Sequence, residues 1–234
     1  MAKSEPQHDQ RPVLRFLDWL AIKATRKRTI DGLPVVCDKG ADKVAEGLKL
    51  IRDFDSIRYR RLLGDVKLIW VTALPGALAQ FRNSTSMCVI DERFVVDERT
   101  TPEMIASVIV HEATHARLFR MGIGYEESRR VRVEQVCLRR ELAFAAKLPD
   151  RARVGLQSAE ALLNALPDLS NEALTEREYA DGRDALVYLG VPGVIAGAIV
   201  SIGRRLNRRR TRLAKTREGS AEIVADRERS TEDG

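Results

Sequence analysis

The chain has 234 residues, of which 44% are hydrophobic and 32% are charged, enough apolar material for one globular domain with extensions. Aromatic residues are scarce at 5%, a composition typical of a helix-rich protein with solvated, charged faces. The three cysteines include no Cys-x-x-Cys pair. Neither a disulfide framework nor a zinc ribbon is therefore indicated, and a reducing compartment fits best.

Residues 1–40 are predicted to form an N-terminal extension. Residues 1–11 are polar and lack the apolar run of a secretory signal, so we expect a cytoplasmic protein. Residues 13–24 have apolar side chains at helical spacing and precede a basic run at 26–28. This pattern favours a short amphipathic helix, which is either an ordinary first helix or one that lies on a membrane surface.

Residues 41–184 are predicted to form the main domain, of α+β class and rich in helix. Apolar residues recur every three to five positions over 41–63, which predicts one long amphipathic helix. The β-branched and aromatic run at 67–72 predicts a strand. A second strand is predicted at 86–91, with 94–96 continuing it or pairing beside it.

The helix with the clearest sequence signals begins near residue 101. Thr101 suits the N-cap position, Pro102 the first turn, and Glu103 the positive end of the helix dipole. Gly122 is placed to end the helix, after which a loop turns the chain back. Apolar residues surround its central part, so we expect it to be buried on most sides.

The middle of this helix reads His-Glu-x-x-His, from His111 to His115. Two histidines four positions apart lie on one face of a helix, about one turn apart, where both can bind one metal ion. Glu112 points about 100° away around the helix, beside that ion, where it can accept a proton from water. Two of the chain's three histidines fall in this motif. The sequence therefore predicts Zn²⁺ as the cofactor, with His111 and His115 as ligands.

A third ligand is expected from the next helix, because a catalytic zinc takes three protein ligands and leaves the fourth position to water. Glu134 is the candidate, on an apolar stripe with Val131, Leu138 and Leu142. A carboxylate on such a face needs a partner, which is either zinc or one of the nearby arginines. Glu141, two turns beyond, is the alternate third ligand or a residue that supports the ligands.

This combination of His-Glu-x-x-His and a downstream helical glutamate resembles the gluzincin group of zinc metallopeptidases, over about residues 86–145. The resemblance implies a minimal zincin-like core with a small sheet before the metal-binding helix. Many thermolysin-like members have an aspartate four residues after the ligand glutamate. Here that position is Leu138, so whatever orients the two histidines must come from elsewhere.

The resemblance also implies that a strand before the helix offers a sheet edge to an extended substrate, and residues 84–91 are the candidate. An open edge can pair with a peptide backbone without reading its sequence. The alternative is that this strand is only a structural part of the sheet. The aminopeptidase branch has a similar gap between its ligands, but its glycine-rich exopeptidase motif is not found here.

The favoured hypothesis is a zinc-dependent hydrolase that cleaves peptide bonds in a peptide or protein substrate, with Glu112 as general base. Tyr125 and Tyr179 are candidate donors to the oxyanion. The rival hypothesis is a noncatalytic adaptor, associated with membrane or nucleic acid, whose metal site is structural or vestigial. A fourth ligand, Glu141 or Cys137, would favour the rival.

Helices predicted near 150–166 and 172–184 precede an uncharged segment, 185–203, which is close to the ~20 residues that a membrane span requires. Glycine and proline at 190–193 break it in its first third. Three interpretations are open: a re-entrant or hairpin insertion from the cytoplasmic side, a buried helix, and a true span.

Residues 204–234 are predicted to be a basic and then mixed-charge disordered tail. Its first part, 204–217, holds eight arginines and lysines and no acid. An anionic membrane surface is a candidate partner for 185–217, at the cytoplasmic face. Nucleic acid is disfavoured because no reading motif or interleaved aromatic residues accompany the charge. A solvated tail without a partner is the alternative. The sequence gives no indication of the oligomeric state.

Overall fold

The structure is a computed structural model that describes residues 20–154 and 156–208. The fold is α+β and rich in helix, as predicted. Most of the predicted N-terminal helix (13–24) and of the basic tail lies outside the described residues. The chain divides into two compact units, Met1–Glu178 and Tyr179–Gly234, whereas the sequence analysis placed the end of the main domain at 184.

The first unit contains a mixed five-stranded sheet in the order β1-β2-β3-β5-β4. Its strands are β1 Lys27–Ile30, β2 Leu33–Val36, β3 Leu68–Thr72, β4 Ala79–Arg82 and β5 Met87–Asp91. β2, β3 and β5 are adjacent in that order and run parallel to one another. β1 pairs antiparallel with β2 at one end of the sheet, and β4 pairs antiparallel with β5 at the other. The predicted strands at 67–72 and 86–91 are confirmed as β3 and β5.

The strand proposed as the substrate-facing edge is not an edge. β5 pairs with β3 on one side and with β4 on the other, and all five of its residues are buried. The candidate edge at 84–91 is therefore wrong, and β4 takes the terminal position beside β5. The extension predicted for 94–96 is also wrong, because these residues belong to the short helix α3, Glu92–Val96.

The helices before and after the sheet strands are α1 Ala41–Phe54, α2 Ser56–Asp65, α4 Pro102–Arg120, α5 Glu127–Ala145, α6 Leu156–Asn164 and α7 Asn171–Tyr188. A 3₁₀ turn, Ala152–Val154, precedes α6. The single helix predicted at 41–63 is two helices, because Asp55 leaves helical geometry with φ −146° and caps α2 by accepting a hydrogen bond from the Arg58 N–H. Apolar periodicity alone does not reveal such a break.

The central helix α4 begins and ends at the predicted residues. The Thr101 side chain accepts a hydrogen bond from the Met104 N–H at 3.2 Å, and Pro102 occupies the first turn. Gly122 follows the helix with φ +79°, a left-handed conformation that glycine adopts without steric cost. Apolar side chains of α4 such as Ile105 and Ile109 are fully buried in the main core. The helix thus packs into the core along most of its length.

The second unit contains a break followed by another helix. α7 ends at Tyr188, Gly190 has φ +89°, and residues 193–208 are helical. The break predicted at 190–193 is therefore confirmed, at 189–192. The Tyr179 hydroxyl donates to the Gly203 carbonyl at 3.1 Å, and the Arg204 guanidinium lies 5.8 Å from the Tyr179 ring. These contacts bring the two helical segments of this unit together.

Several apolar side chains of the last helix are exposed, among them Val194 at 88% and Ile202 at 58%. Such exposure does not fit the interpretation of 185–203 as a buried helix. Among the residues that the structure describes, none of the helices combines the length and the apolar character that crossing a bilayer requires.

Candidate metal centre

The two motif histidines meet on one face of α4. The Nε2 atoms of His111 and His115 lie 3.2 Å apart, and their side chains are 15% and 13% exposed. The one-turn spacing of the motif explains this convergence, because residues four apart are stacked along a helix. The cluster lies entirely within the first unit.

Glu134 of α5 reaches the same point from the neighbouring helix. Its Oε2 lies 3.2 Å from Nε2 of His111 and its Oε1 lies 3.4 Å from Nε2 of His115. The structure thus brings together all three residues that were predicted to bind zinc. The stripe assumed around Glu134 is partly wrong, since Leu138 is 4% exposed but Val131 is 51% exposed.

The spacing of these three side chains fits a tetrahedral metal ion. Zinc bonds to imidazole nitrogen and carboxylate oxygen of about 2.0–2.2 Å place tetrahedral ligands roughly 3.3–3.6 Å from one another. The three separations here, 3.2, 3.2 and 3.4 Å, are within about 0.2 Å of that range. The donor set of two imidazoles and one carboxylate is also one that catalytic zinc sites use. We call His111, His115 and Glu134 the ligand triad.

Glu141 orients the first histidine. Its Oε2 lies 3.0 Å from Nδ1 of His111, and its Oε1 accepts a hydrogen bond from the Ser107 hydroxyl at 2.9 Å. A carboxylate on Nδ1 fixes the ring orientation and leaves Nε2 for a metal. The role of orienting residue, absent at Leu138, is therefore taken by Glu141, one of the two roles considered for it.

Glu112 is held beside the triad by the edge strand β4. It is 7% exposed, and its carboxylate accepts a hydrogen bond from the backbone N–H of Phe81. Burial raises the pKa of the Glu112 carboxyl, while the nearby His115 and His111 act in the opposite direction. A buried carboxyl with a raised pKa is suited to accepting and returning a proton near neutral pH.

Opposite charges within the triad shift the pKa values of its members. Burial favours the neutral forms, but the contacts with His111 and His115 outweigh it and lower the pKa of Glu134. For His111 burial acts in the opposite direction and would lower the pKa, yet its hydrogen bonds to Glu134 and Glu141 raise that pKa to about 10. Three carboxylates, those of Glu112, Glu134 and Glu141, lie around the two imidazoles. This excess of negative charge favours binding of a cation.

Tyr125 joins the site from the loop between α4 and α5. Its hydroxyl donates a hydrogen bond to Glu134, and its ring lies edge-on to His115 with a centroid separation of 5.2 Å. The buried Arg130 lies with its guanidinium 5.0 Å from the Tyr125 ring and donates to Asn171 Oδ1 at 2.8 Å. Of the two candidate oxyanion donors, Tyr125 thus lies at the triad, whereas Tyr179 belongs to the second unit.

Cys137 is the third side chain of α5 that faces the histidines. Its Sγ and one ring nitrogen of each histidine lie within 4.8 Å of one another. The residue is fully buried, and burial followed by the charge of Glu134 raises the pKa of its thiol. Cys37 and Cys88 are likewise buried and free.

Two features of the site were missed by the sequence analysis. The Phe81 N–H reaches Glu112 only because β4 forms, and no alternating pattern marks Ala79–Arg82 as a strand. Ser107 lies four residues before His111, so it shares the helix face of the motif. That spacing could have predicted that a polar side chain lies on the same face of α4 as the two histidines.

No protein-family model matches the chain, and the comparisons found neither a curated protein nor a solved structure that matches it.

Proposed function

We propose that this protein is a zinc-dependent hydrolase that cleaves peptide bonds, with a minimal zincin-like core made by the sheet, α4 and α5. The observation that carries the proposal is the convergence of His111, His115 and Glu134 at tetrahedral ligand spacing, with Glu112 adjacent and buried. The triad would hold the metal through Nε2 of each histidine and the Glu134 carboxylate. Bound zinc would supply a Lewis acid that lowers the pKa of water to about 7.

The residues around the triad would carry out proton transfer, orientation of a ligand and stabilisation of the oxyanion. Glu112 accepts the proton of the attacking water and passes it to the leaving nitrogen as the carbon–nitrogen bond breaks. Glu141 holds His111 in the tautomer and orientation that ligation needs. The Tyr125 hydroxyl, which donates its proton to Glu134 in this structure, would turn from Glu134 to donate to the oxyanion of the tetrahedral intermediate.

A peptide substrate is favoured over other hydrolysable groups by the position of β4. This strand ends the sheet on the side of the triad, since its Phe81 N–H bonds to Glu112. In the antiparallel ladder Leu78 accepts from the Asp91 N–H at 2.9 Å, so the backbone groups of Ala79 and Phe81 point away from β5. Because the Phe81 N–H is bonded to Glu112, the groups that would pair with a peptide are those of Ala79 and the Phe81 carbonyl. A strand edge of this kind pairs with an extended peptide through main-chain hydrogen bonds.

Glu112→Gln tests the chemistry separately from metal binding. We expect the purified variant to contain as much zinc as the wild type and to hydrolyse fluorescently labelled casein about 10²–10⁴-fold more slowly, because a positioned general base contributes that much. Elemental analysis and the fluorescence rate are the two measurements. Glu98→Gln, at an exposed glutamate, is the matched control and should hydrolyse at the wild-type rate.

The metal requirement is tested on the same wild-type preparation. The chelator 1,10-phenanthroline should abolish hydrolysis, and added zinc should restore it.

If Glu112→Gln keeps its zinc and hydrolyses casein at the wild-type rate, Glu112 is not the base.

A second candidate function follows from Cys137. A site with four protein ligands leaves no position for water and is typical of structural zinc. If the group of His111, His115 and Cys137 together with Glu134 is permanently closed around the metal, the protein is a noncatalytic zinc protein. Zinc content near one per chain with no casein hydrolysis in any variant would favour this candidate.

A further inference from the structure

Cys137 occupies a position from which it can complete the coordination of a metal. It follows Glu134 by three residues on α5, less than one helical turn. Its side chain is fully buried, and its Sγ lies in the same 4.8 Å group as the ring nitrogens of His111 and His115. Cys37 and Cys88 do not belong to this group.

The distance that Cys137 would have to move is small. Zinc–sulfur and zinc–nitrogen bonds of about 2.3 and 2.05 Å place sulfur roughly 3.6 Å from nitrogen in a tetrahedral site. Because Sγ is within 4.8 Å of one ring nitrogen of each histidine, its distance from those nitrogens exceeds the tetrahedral value by at most about 1.2 Å.

We propose that Cys137 is the fourth ligand of the resting metal site, and that the resting site is latent and opens when an entering substrate or small chelating ligand displaces Sγ. The inference rests on the proposed metal site and adds its regulation. The set His111, His115, Glu134 and Cys137 would fill a tetrahedral ion and leave no position for water. Without Cys137 the same ion would have three protein ligands and one open position.

The change between the two states is a ligand exchange without oxidation or reduction. On closing, the Cys137 S–H bond would break, its proton would go to solvent, and the thiolate would replace a water molecule at the fourth position of the metal. On opening, the sulfur–metal bond would break, Sγ would take a proton from solvent, and water or the entering ligand would take the fourth position. The thiolate also makes the closed site soft, which favours Zn²⁺ or Co²⁺ over Mg²⁺ and Ca²⁺.

The absorption spectrum of the cobalt-loaded protein tests the assignment without any activity measurement. A thiolate bound to Co²⁺ gives an intense charge-transfer band in the near ultraviolet, whereas nitrogen and oxygen ligands do not. We expect the wild type to bind about one Co²⁺ per chain, as a single ligand group would, and to show this band. Cys137→Ser should lose the band and still bind Co²⁺ through His111, His115 and Glu134.

Cys37→Ser is the matched control, because Cys37 is also a buried free thiol. It should keep the band at wild-type intensity. A wild type that binds one Co²⁺ without the band, or a band that survives in Cys137→Ser, overturns the assignment of Cys137 and leaves the proposed hydrolase standing. A wild type that binds neither cobalt nor zinc overturns both.

Acetohydroxamate distinguishes a latent site from a permanently closed one. This small chelating probe needs open positions on the metal, so it should displace Sγ from the cobalt-loaded wild type and abolish the charge-transfer band. A band that persists at saturating acetohydroxamate overturns latency, and it then favours the noncatalytic zinc protein.

Discussion

Two buried carboxylate clusters, one on α5 and one bonded to Lys147 just after α5 ends, satisfy their charge in different ways. Asp55 is 6% exposed and receives hydrogen bonds from Lys147 Nζ at 2.8 Å and Arg58 Nε at 2.9 Å. Glu134, at the other cluster, contacts only imidazoles and the Tyr125 hydroxyl among the partners described above. The Asp55 cluster is thus neutralised by permanent cations, whereas Glu134 is paired with imidazoles, a side chain that can also bind a metal ion in its neutral form.

The difference shows how chemistry rather than burial separates a structural ion pair from a candidate metal site. Lysine and arginine keep their charge at all physiological pH values. An aspartate between them therefore stays paired, and its charge is neutralised without a metal ion. Imidazoles become metal ligands once they are neutral. Substitutions at the two clusters should therefore change different properties of the protein.

The largest effect is expected at the ligand triad. His115→Ala and Glu134→Ala should each weaken zinc binding by more than about 100-fold, which exceeds the loss caused by substitutions outside the ligand set. Zinc titration against a competing chelator measures the affinity. If Glu134→Ala binds zinc as tightly as the wild type, Cys137 rather than Glu134 is the third ligand.

Glu141 should show an intermediate effect on the same property. Glu141→Gln keeps the shape of the side chain but removes the charge that holds Nδ1 of His111, so we expect zinc affinity to fall about 10–100-fold. Ser107→Ala, which removes only the hydrogen bond to Glu141, should produce a smaller loss in the same titration. Equal affinity in Glu141→Gln and the wild type would show that Glu141 does not position His111.

The Asp55 cluster should affect stability and leave zinc affinity unchanged. Burial raises the pKa of Asp55, but hydrogen bonds from Lys147 and Arg58 outweigh it and lower that pKa below its usual 3.8. Asp55→Asn should therefore cost about 2 kcal/mol in the free energy of unfolding at pH 7, since it removes charged hydrogen bonds.

The pH dependence of that cost follows from the direction of the pKa shift. Because the folded-state pKa is the lower one, the contribution is complete above about pH 4 and is lost as pH falls through the folded value. Urea unfolding measures the free energy of unfolding of the wild type and of Asp55→Asn at pH 7 and pH 3. The difference between the two proteins should be smaller at pH 3. Asp42→Asn, at an aspartate side chain that is 94% exposed, is the control. A difference that is equal at both pH values would exclude the charge as its source.

The smallest effect is expected at the cap of α4. Thr101→Ala removes the acceptor for the Met104 N–H and should cost about 1 kcal/mol in the free energy of unfolding. Thr101→Ser keeps the hydroxyl and should cost less. Urea unfolding at pH 7 ranks the three proteins, and equal losses in both variants would point to packing of the threonine methyl group.

The candidate site was predicted more completely than the sheet. Local spacing sufficed for His111 and His115, because the α-helix itself places residues four apart on one face. The hairpin of β1 and β2 was not predicted, although Asp31-Gly32 is a strong signal for a two-residue turn and both residues have positive φ, 48° and 89°. Pro34 within β2 weakened the strand pattern. It is tolerated because it lies opposite Thr29 at a position that donates no hydrogen bond to β1, and the pairing with β3 begins at Val35.

The sequence by itself determined where α4 begins and ends, that its two histidines share one helix face, and that Glu134 is a candidate third ligand. All three follow from helical periodicity and capping chemistry. Only the tertiary structure decided that Glu141 contacts His111, that Cys137 faces the two histidines and that the backbone of β4 bonds to Glu112. These outcomes depend on the relative rotation of α4 and α5 and on the order of strands in the sheet. Both are fixed by packing between segments far apart in the chain, which no local pattern encodes.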